Sequence, residues 1–500
     1  MPVELPAYCE EMLKVLPDPK FVWKYMLAVT QIPRGSNQGD ELWRHKKILN
    51  FLKTQAEELG CEATVVKGDN LVVRKPASPG CEDKPIVCLQ CHMDMVVQKN
   101  DDVDIDFATD PLTPRIVDNK WLMATGTSLG ADNGIGIATC FAILEDKTLK
   151  HGPLEVLVTR DEETGLYGAA ELEAGVLKAK YMINVDSEEE GAVCVGCAGG
   201  FNVHMRLPTP RQAGEGEVKK TVILNNFCGG HSGCDIGLGR ANPLHVMGRL
   251  LKANCCPYRV ISVDCGTAHN AIPRKCVVDV AVPAEKAECF DKCMKKHFDE
   301  FVKEYHLIEK TATLDIVESK SELEPLTAEA TQKFVNFINV YPFAVMRYSP
   351  SVKGDIETST TLAIGRMDKP EEFFFVASVR SFAQSQMDMM YNKIRCICEM
   401  GGLQLSERIG AYPGWEPNMD SPLTKDLVAA YTEATGKAPR VYAIHAGLEC
   451  GLFMEKYPEL DCSSIGPELQ FPHSPQERLL IESVPRFWKV LTLALEKLAM

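Results

Sequence analysis

Nowhere in the 500 residues do about 18 apolar residues run without a charged one, so no membrane-spanning helix is expected. Surplus positive charge is also missing. The 54 Lys and Arg stand against 69 Asp and Glu, a net charge of −15, and phosphate binding needs a basic footprint that this chain lacks. Neither nucleic acid nor an anionic membrane is therefore an expected partner; a small molecule or a metal is. The first 25 residues contain no uninterrupted apolar stretch, being broken by Glu4, Glu10, Glu11 and Lys14. Without a secretion-type leader, the expected compartment is the reducing cytosol. Low-complexity tracts are absent as well.

What the chain has in plenty is cysteine, 20 residues of it, and ordinary globular proportions of apolar (45%) and charged (25%) residues. The cysteines are scattered. Two C-x-x-C spacings, Cys88 with Cys91 and Cys194 with Cys197, lie too far apart for a usual zinc-finger pairing and read as neighbours in buried strands. Five hundred residues exceed the usual size of one core, so two domains are the first expectation.

Hydrophobic patterning gives the organisation. Residues 19 to 60 read as helical, and Ala63–Val66 and Leu71–Arg74 read as hairpin strands around Gly68-Asp69-Asn70. Three short apolar runs, Pro85–Gln90, Leu154–Val158 and Tyr181–Val185, read as buried strands, with a buried helix over Ile135–Leu144. Strands alternating with helices predict an α/β domain with a mixed, mostly parallel sheet flanked by helices. After Gly191 the texture changes to strands and helices in the order of two successive βαββαβ-like halves, an α+β domain inserted into the first. The expected division is 1–190 and 412–500 for the two parts of the catalytic domain and 191–411 for the insert. The Pro/Gly-rich stretch Pro208–Glu217 reads as its flexible loop.

Each buried strand leads into chemistry. His92 and Asp94 follow the first, Asp161-Glu162-Glu163 the second and Asp186 the third, while Asp132 stands before the helix and His473 lies near the C-terminus. Such a set describes a two-metal hydrolase site, in which one carboxylate spans ions roughly 3.5–4 Å apart. Asp132, in the glycine-rich Leu129-Gly-Ala-Asp-Asn-Gly-Ile-Gly, is the bridging candidate; alone it would read as a helix N-cap. His92 reads as a ligand with Asp94 accepting its other ring N–H. Three acids in a row are ordinarily a solvated loop, but a metal hydrolase needs one carboxylate to bind and one to move protons. Glu162 is assigned the second role and Glu163 the first. Asp186 and His473 complete the ligands, with prolines on either side holding His473 in an extended loop. Imidazole and oxygen donors suit zinc, manganese and cobalt alike.

Taken together, His92-Met-Asp-Met, Leu129-Gly-Ala-Asp-Asn-Gly-Ile-Gly, Thr159-Arg-Asp-Glu-Glu-Thr-Gly, Asn184-Val-Asp-Ser-Glu-Glu-Glu-Gly and Phe471-Pro-His-Ser-Pro-Gln-Glu resemble the aminoacyl-histidine dipeptidases, cytosolic di-zinc exopeptidases. The resemblance runs from Ile32-Pro-Arg-Gly-Ser to the C-terminal helix. It implies two zinc ions on His92, Asp132, Glu163, Asp186 and His473, and hydrolysis of unsubstituted dipeptides, Xaa-His among them, by a water that Glu162 deprotonates. It further implies that the insert is a lid, or a dimerisation domain, that completes the pocket. His231 in Gly229-Gly-His-Ser-Gly would then stabilise the oxyanion, Asn270 and Arg380 would hold substrate, Gly447 would let backbone N–H groups approach substrate, and His445 or Glu449 would line the pocket. Whether His231 serves its own chain or the partner of a homodimer stays open at this level. So do two other readings, an N-acyl amino acid deacylase on the same scaffold and a metal-binding protein without catalysis.

Overall fold

In the computed structural model, which describes residues 3–36 and 44–500, the chain divides into two units. The first comprises Met1–Gly196, Pro417–Ala443 and Leu448–Met500, and the second Cys197–Glu416 with Ile444–Gly447. These breaks fall five or six residues later than 190/191 and 411/412, because of backbone pairing. Ala192–Cys197 joins the first unit's sheet, whereas Ile409–Tyr412 pairs with Gly199–Pro208 and Trp415 bridges to Cys197. Ala198 donates to the carbonyls of Ile444 and Ala446, which draws that short segment into the second unit.

Eight strands form the main sheet of the first unit, in the order Glu62–Val66, Asn70–Lys75, Leu154–Thr159, Val87–His92, Tyr181–Asn184, Asp461–Ser464, Ala192–Cys197 and Arg440–Ile444. The middle four run parallel and the hairpin at the edge is antiparallel. Every residue of Val87–His92 and of Leu154–Thr159 is buried, as strands covered on both faces require. Helices Lys20–Thr30 and Ala131–Glu145 pack on each other, as do Pro422–Thr435 and Ser483–Leu498. Of the helical reading over 19 to 60, Lys20–Thr30 and Arg44–Glu58 are helices, and 37–43 lie outside the described residues.

Register places the site. Gln90 stands opposite Leu157 on one side and Asn184 on the other, so the carboxyl ends of three parallel strands are level. His92, Glu162 and Asp186 therefore leave the sheet along one edge, where ligands bind in open α/β sheets. A smaller sheet, Leu469–Gln470, Arg478–Leu480, Trp121–Ala124 and Pro114–Val117, pairs Arg478 with Met123. That pairing brings the loop carrying His473 beside the loop carrying Asp132.

The second unit is built on one ten-stranded sheet. Strands Glu217–Asn225, Arg259–Cys265, Cys276–Pro283 and Thr313–Glu318, with helices Pro243–Ala253 and Ala287–Glu304, make one βαββαβ half. The other half takes Gly199–Pro208 as its first strand and continues only after the first is complete, with helix Ala328–Val340, Ile356–Lys369, Glu372–Ser381, helix Gln384–Gly401 and Gln404–Leu405. The halves are therefore nested, not successive. Local periodicity is the same in both arrangements, and only the long-range pairing of Gly199–Pro208 with Glu372–Ser381 separates them. Edge-to-edge pairing of Asp264 with Arg366 and Cys265 with Gly365 fuses the halves into one sheet. Their helices cover it through aromatic contacts such as Phe337 on Phe375, with centroids 4.8 Å apart.

Candidate active site

Asp132 lies at the centre of the cluster in the first unit. Its Oδ1 is 3.0 Å from His92 Nε2 and its Oδ2 is 3.1 Å from His473 Nε2. His92 Nε2 also lies 3.3 Å from Asp186 Oδ1, and His473 Nε2 lies 3.0 Å from Glu163 Oε2. Two donor sets result, His92/Asp132/Asp186 and His473/Asp132/Glu163, the atoms of each within 4.8 Å of one another, and they share one carboxylate. Glu162 belongs to a third overlapping group with His92 and Glu163.

The loop geometry explains how a short side chain serves both sets. Although helix Ala131–Glu145 begins formally one residue earlier, Asp132 and Asn133 have non-helical backbone angles, and the Asp132–Asn133 peptide is cis. Glu477 fastens this turn, accepting N–H bonds from Leu129, Gly130, Ala131 and Asp132 at 2.7–3.3 Å. Arg34, only 2% exposed, runs beneath and donates to the carbonyls of Met93, Asp94 and Gly130. Gly130 has φ +65°, and a Cβ on it would lie 2.5 Å from Met95 Sδ. A Cβ on Gly134 would lie 2.7 Å from an Arg34 nitrogen. Gly130 and Gly134 thus make room for Arg34 and Met95.

Asp94 is 1% exposed and lies two residues beyond its strand, with Oδ1 3.4 Å from His92 Nδ1. It also accepts from the Ser36 hydroxyl at 2.7 Å and from the backbone N–H groups of Glu162 and Glu163. One carboxylate therefore stands beside the His92 ring as a charge partner, without a hydrogen bond to Nδ1, and fixes the turn carrying both glutamates. Asp161 takes no part; it has φ +49° and pairs with Arg160 at 3.0 Å. His473 has φ +58°, so its loop is not extended as expected. A proline fixes its own φ and not that of the residue after it, which leaves His473 free to take the left-handed turn, as Phe471 does.

So many acids in one place cannot all be ionised unaided. Burial, then the charge of Asp132, pushes Glu163 up to about 7. Burial raises Glu162 well above the carboxylate range, with Asp186, Glu163 and Glu449 adding to it. Contacts with Asp132 and Glu163 raise His473 to about 11. Burial opposes ionisation of Asp132, but both imidazoles outweigh it and draw the group down. Glu163 Oε1 is also buried without a hydrogen-bond partner among the described residues. Imidazole nitrogens and carboxylate oxygens in two sets, an unused buried oxygen and excess negative charge fit a pair of divalent cations.

In the second unit, strand Gly230–His231 pairs with Ala271–Ile272, and Ser232 N–H donates to the Asn270 carbonyl at 2.8 Å. His231 Nδ1 accepts from the backbone N–H groups of Gly233 and Cys234, which leaves the proton on Nε2. Burial, then Arg380, lowers His231 to about 4, so the ring is neutral. Arg380, 8% exposed, reaches His231 Nε2 at 3.5 Å, the Tyr412 hydroxyl at 3.1 Å and Ser232 Oγ at 3.4 Å. No carboxylate neutralises it among the described residues of this unit. His445 holds Ser359 Oγ at 2.7 Å, and Ser359 is the register partner of Arg380. Gly447 packs on the Tyr412 ring, where a Cβ would lie at 2.9 Å. Five predicted residues, His231, Asn270, Arg380, His445 and Gly447, thus share the second unit. Glu449 belongs to the first, buried, accepting from Gln90 and Thr159.

Sequence reasoning missed Glu477, Arg34, Ser36, Asn133 and Tyr412 as supports. Asn133, which donates to Asp186 and to the Val185 carbonyl, stood inside a quoted motif, as did Arg34 and Glu477. Their signal was a charged or amide residue amid small and apolar ones. Tyr412 offered none, because its role depends on long-range pairing.

Comparison with known proteins agrees with this geometry. Residues 88–497 match the model of peptidase family M20/M25/M40. The cytosol non-specific dipeptidase of Escherichia coli strain K12 is 37% identical over 492 residues, covering 98% of this chain and 99% of the relative. The crystal structure of aminoacylhistidine dipeptidase from Vibrio alginolyticus superposes with a TM-score of 0.88 at 38% identity, covering 97% and 98%. Aminopeptidase PepT from Bacillus cereus shares the fold at a TM-score of 0.57 and 14% identity, covering 97% of this chain and all of that one. No described helix is long and apolar enough to cross a membrane. With a match running almost end to end, the chain belongs to peptidase family M20/M25/M40 and is a peptidase.

Proposed function

We propose that the chain is a metal-dependent dipeptidase of the cytosol that hydrolyses unsubstituted dipeptides, those ending in histidine included. The observation that carries this is Asp132, whose two oxygens are divided between two histidine-carboxylate sets. Zinc is the proposed ion, on His92, Asp132 and Asp186 and on His473, Asp132 and Glu163. When bound, such a pair supplies a Lewis acid for the peptide carbonyl and a water acidic enough to attack near neutral pH.

The remaining work falls to the chain. Glu162 takes a proton from the attacking water and delivers it to the departing amine; its raised pKa suits a group that must both accept and give one. Asp94 stands beside the His92 ring as its charge partner, and its bonds to two backbone N–H groups hold Glu162 in place. In the second unit, the Arg380 guanidinium and the neutral His231 Nε2–H form an anion-binding pair. Arg380 suits a substrate's terminal carboxylate and His231 a developing oxyanion. Asn270, His445 and Gly447 complete that surface.

A substrate panel tests the reading. Free dipeptides, N-acetylated amino acids and dipeptide amides are offered to the zinc-loaded protein and amino acid release is measured. Cleavage of free dipeptides with loss of activity on the amides is expected. Cleavage of only the N-acetylated compounds would replace the dipeptidase by a deacylase.

A further inference from the structure

Away from the carboxylate cluster, the second unit gathers four cysteines at and just beneath its surface. Cys255 and Cys256 follow helix Pro243–Ala253, and Cys289 and Cys293 lie one turn apart on helix Ala287–Glu304. The sulfurs of Cys255, Cys256 and Cys289 all lie within 4.8 Å of one another. Cys256 Sγ donates to Cys289 Sγ at 2.6 Å, and Cys255 N–H donates to Cys293 Sγ at 3.4 Å. Asn254 fixes the turn. Its Oδ1 accepts from Cys256 N–H at 2.9 Å and its Nδ2 donates to the Phe290 carbonyl at 3.2 Å, tying the paired cysteines to the helix that bears the other two.

We propose that Cys255, Cys256, Cys289 and Cys293 form a thiolate site for one zinc-class d10 cation, distinct from the carboxylate pair. At a Zn–S length of ~2.3 Å, tetrahedral sulfurs stand ~3.8 Å apart; the trio lies within 4.8 Å, and Cys256 and Cys289 move apart to admit the ion. Soft sulfur donors select such ions over the hard cations that oxygen donors admit. Other thiol neighbours, Cys91 with Cys140, Cys265 with Cys276 and Cys450 with Cys462, are pairs buried in the core and pack as small apolar groups. The surface group differs in both respects: it has more than two sulfurs, and Cys255 and Cys289 are exposed, which gives an ion a way in. Lys296 stands three residues beyond Cys293 on the same face of the helix and offsets the charge of the loaded site, whereas Lys292 pairs with Glu288 at 2.6 Å. Binding turns four thiols into thiolates and releases four protons to solvent, so uptake weakens as pH falls.

The test uses the zinc-loaded protein, kept reduced with a phosphine, and cadmium(II) as the probe. The active-site donors are nitrogen and oxygen only, so a sulfur-to-cadmium charge-transfer band arises from cysteine, and its loss in the variants assigns it to this site rather than to the exposed Cys228, Cys234 or Cys396. The band should saturate at one equivalent per chain, vanish in Cys256→Ser and in Cys289→Ser, and leave dipeptide hydrolysis unchanged. In the unaltered protein, the bound ion should block alkylation of all four cysteines, a readout that requires no variant to fold. Absence of the band, its survival in both variants, or a Cys256–Cys289 disulfide that persists under reductant would overturn the proposal.

Discussion

Exchanging the Glu162 carboxylate for an amide removes its basicity and keeps its volume. Glu162→Gln should therefore retain the active-site metals, measured by elemental analysis, and lose about 10²–10⁴ in kcat. Turnover surviving in this variant would move the proton-transfer role elsewhere. Glu477 acts at one remove. Glu477→Ala strips four backbone N–H groups of their acceptor, and thermal or denaturant unfolding of the metal-free protein should show a loss of about 2–4 kcal/mol. Weaker retention of metal should accompany it. The contrast between these residues marks what a sequence discloses. A ligand declares itself by its type and by the apolar strand before it, as His92 and Asp186 do. A support such as Glu477 shows its residue type but not its role, because its partners lie more than 340 residues earlier in the chain.

At the scale of elements, the level carboxyl ends of Val87–His92, Leu154–Thr159 and Tyr181–Asn184 do most of the positioning. Short, mainly apolar runs made these strands legible within a residue or two. The turn at Gly130–Asn133 was legible only as glycine-rich, since neither its backbone angles nor Arg34 beneath it leaves a periodic trace. Gly134→Ala should drive a Cβ into Arg34, cost about 1–3 kcal/mol in unfolding free energy and lower metal affinity through displacement of Asp132. A variant with parental stability and metal content would show that Arg34 moves aside freely. The nested βαββαβ halves were legible as elements and not as topology, because strand pairing across the inserted half leaves no local pattern.

Over the whole molecule, the buried carboxylates of the cluster set the pH dependence of stability. Burial raises Glu163 from 4.5 to about 7, and Glu188 and Glu449 from 4.5 to about 8. A group whose folded pKa is raised favours folding below its unfolded value and loses that contribution as pH climbs through the folded one. The metal-free protein should therefore lose thermal stability as pH rises from about 4.5 to 8, whereas zinc, which binds the ionised carboxylates, should flatten or reverse that slope. Scanning calorimetry with and without zinc reads both. The most direct measurement is turnover of a free dipeptide by metal-stripped protein as zinc is added back. We expect no hydrolysis before addition and recovery after it, and no recovery in Asp132→Asn. Full activity in the stripped protein, or recovery undiminished in Asp132→Asn, would contradict a two-metal site bridged by Asp132.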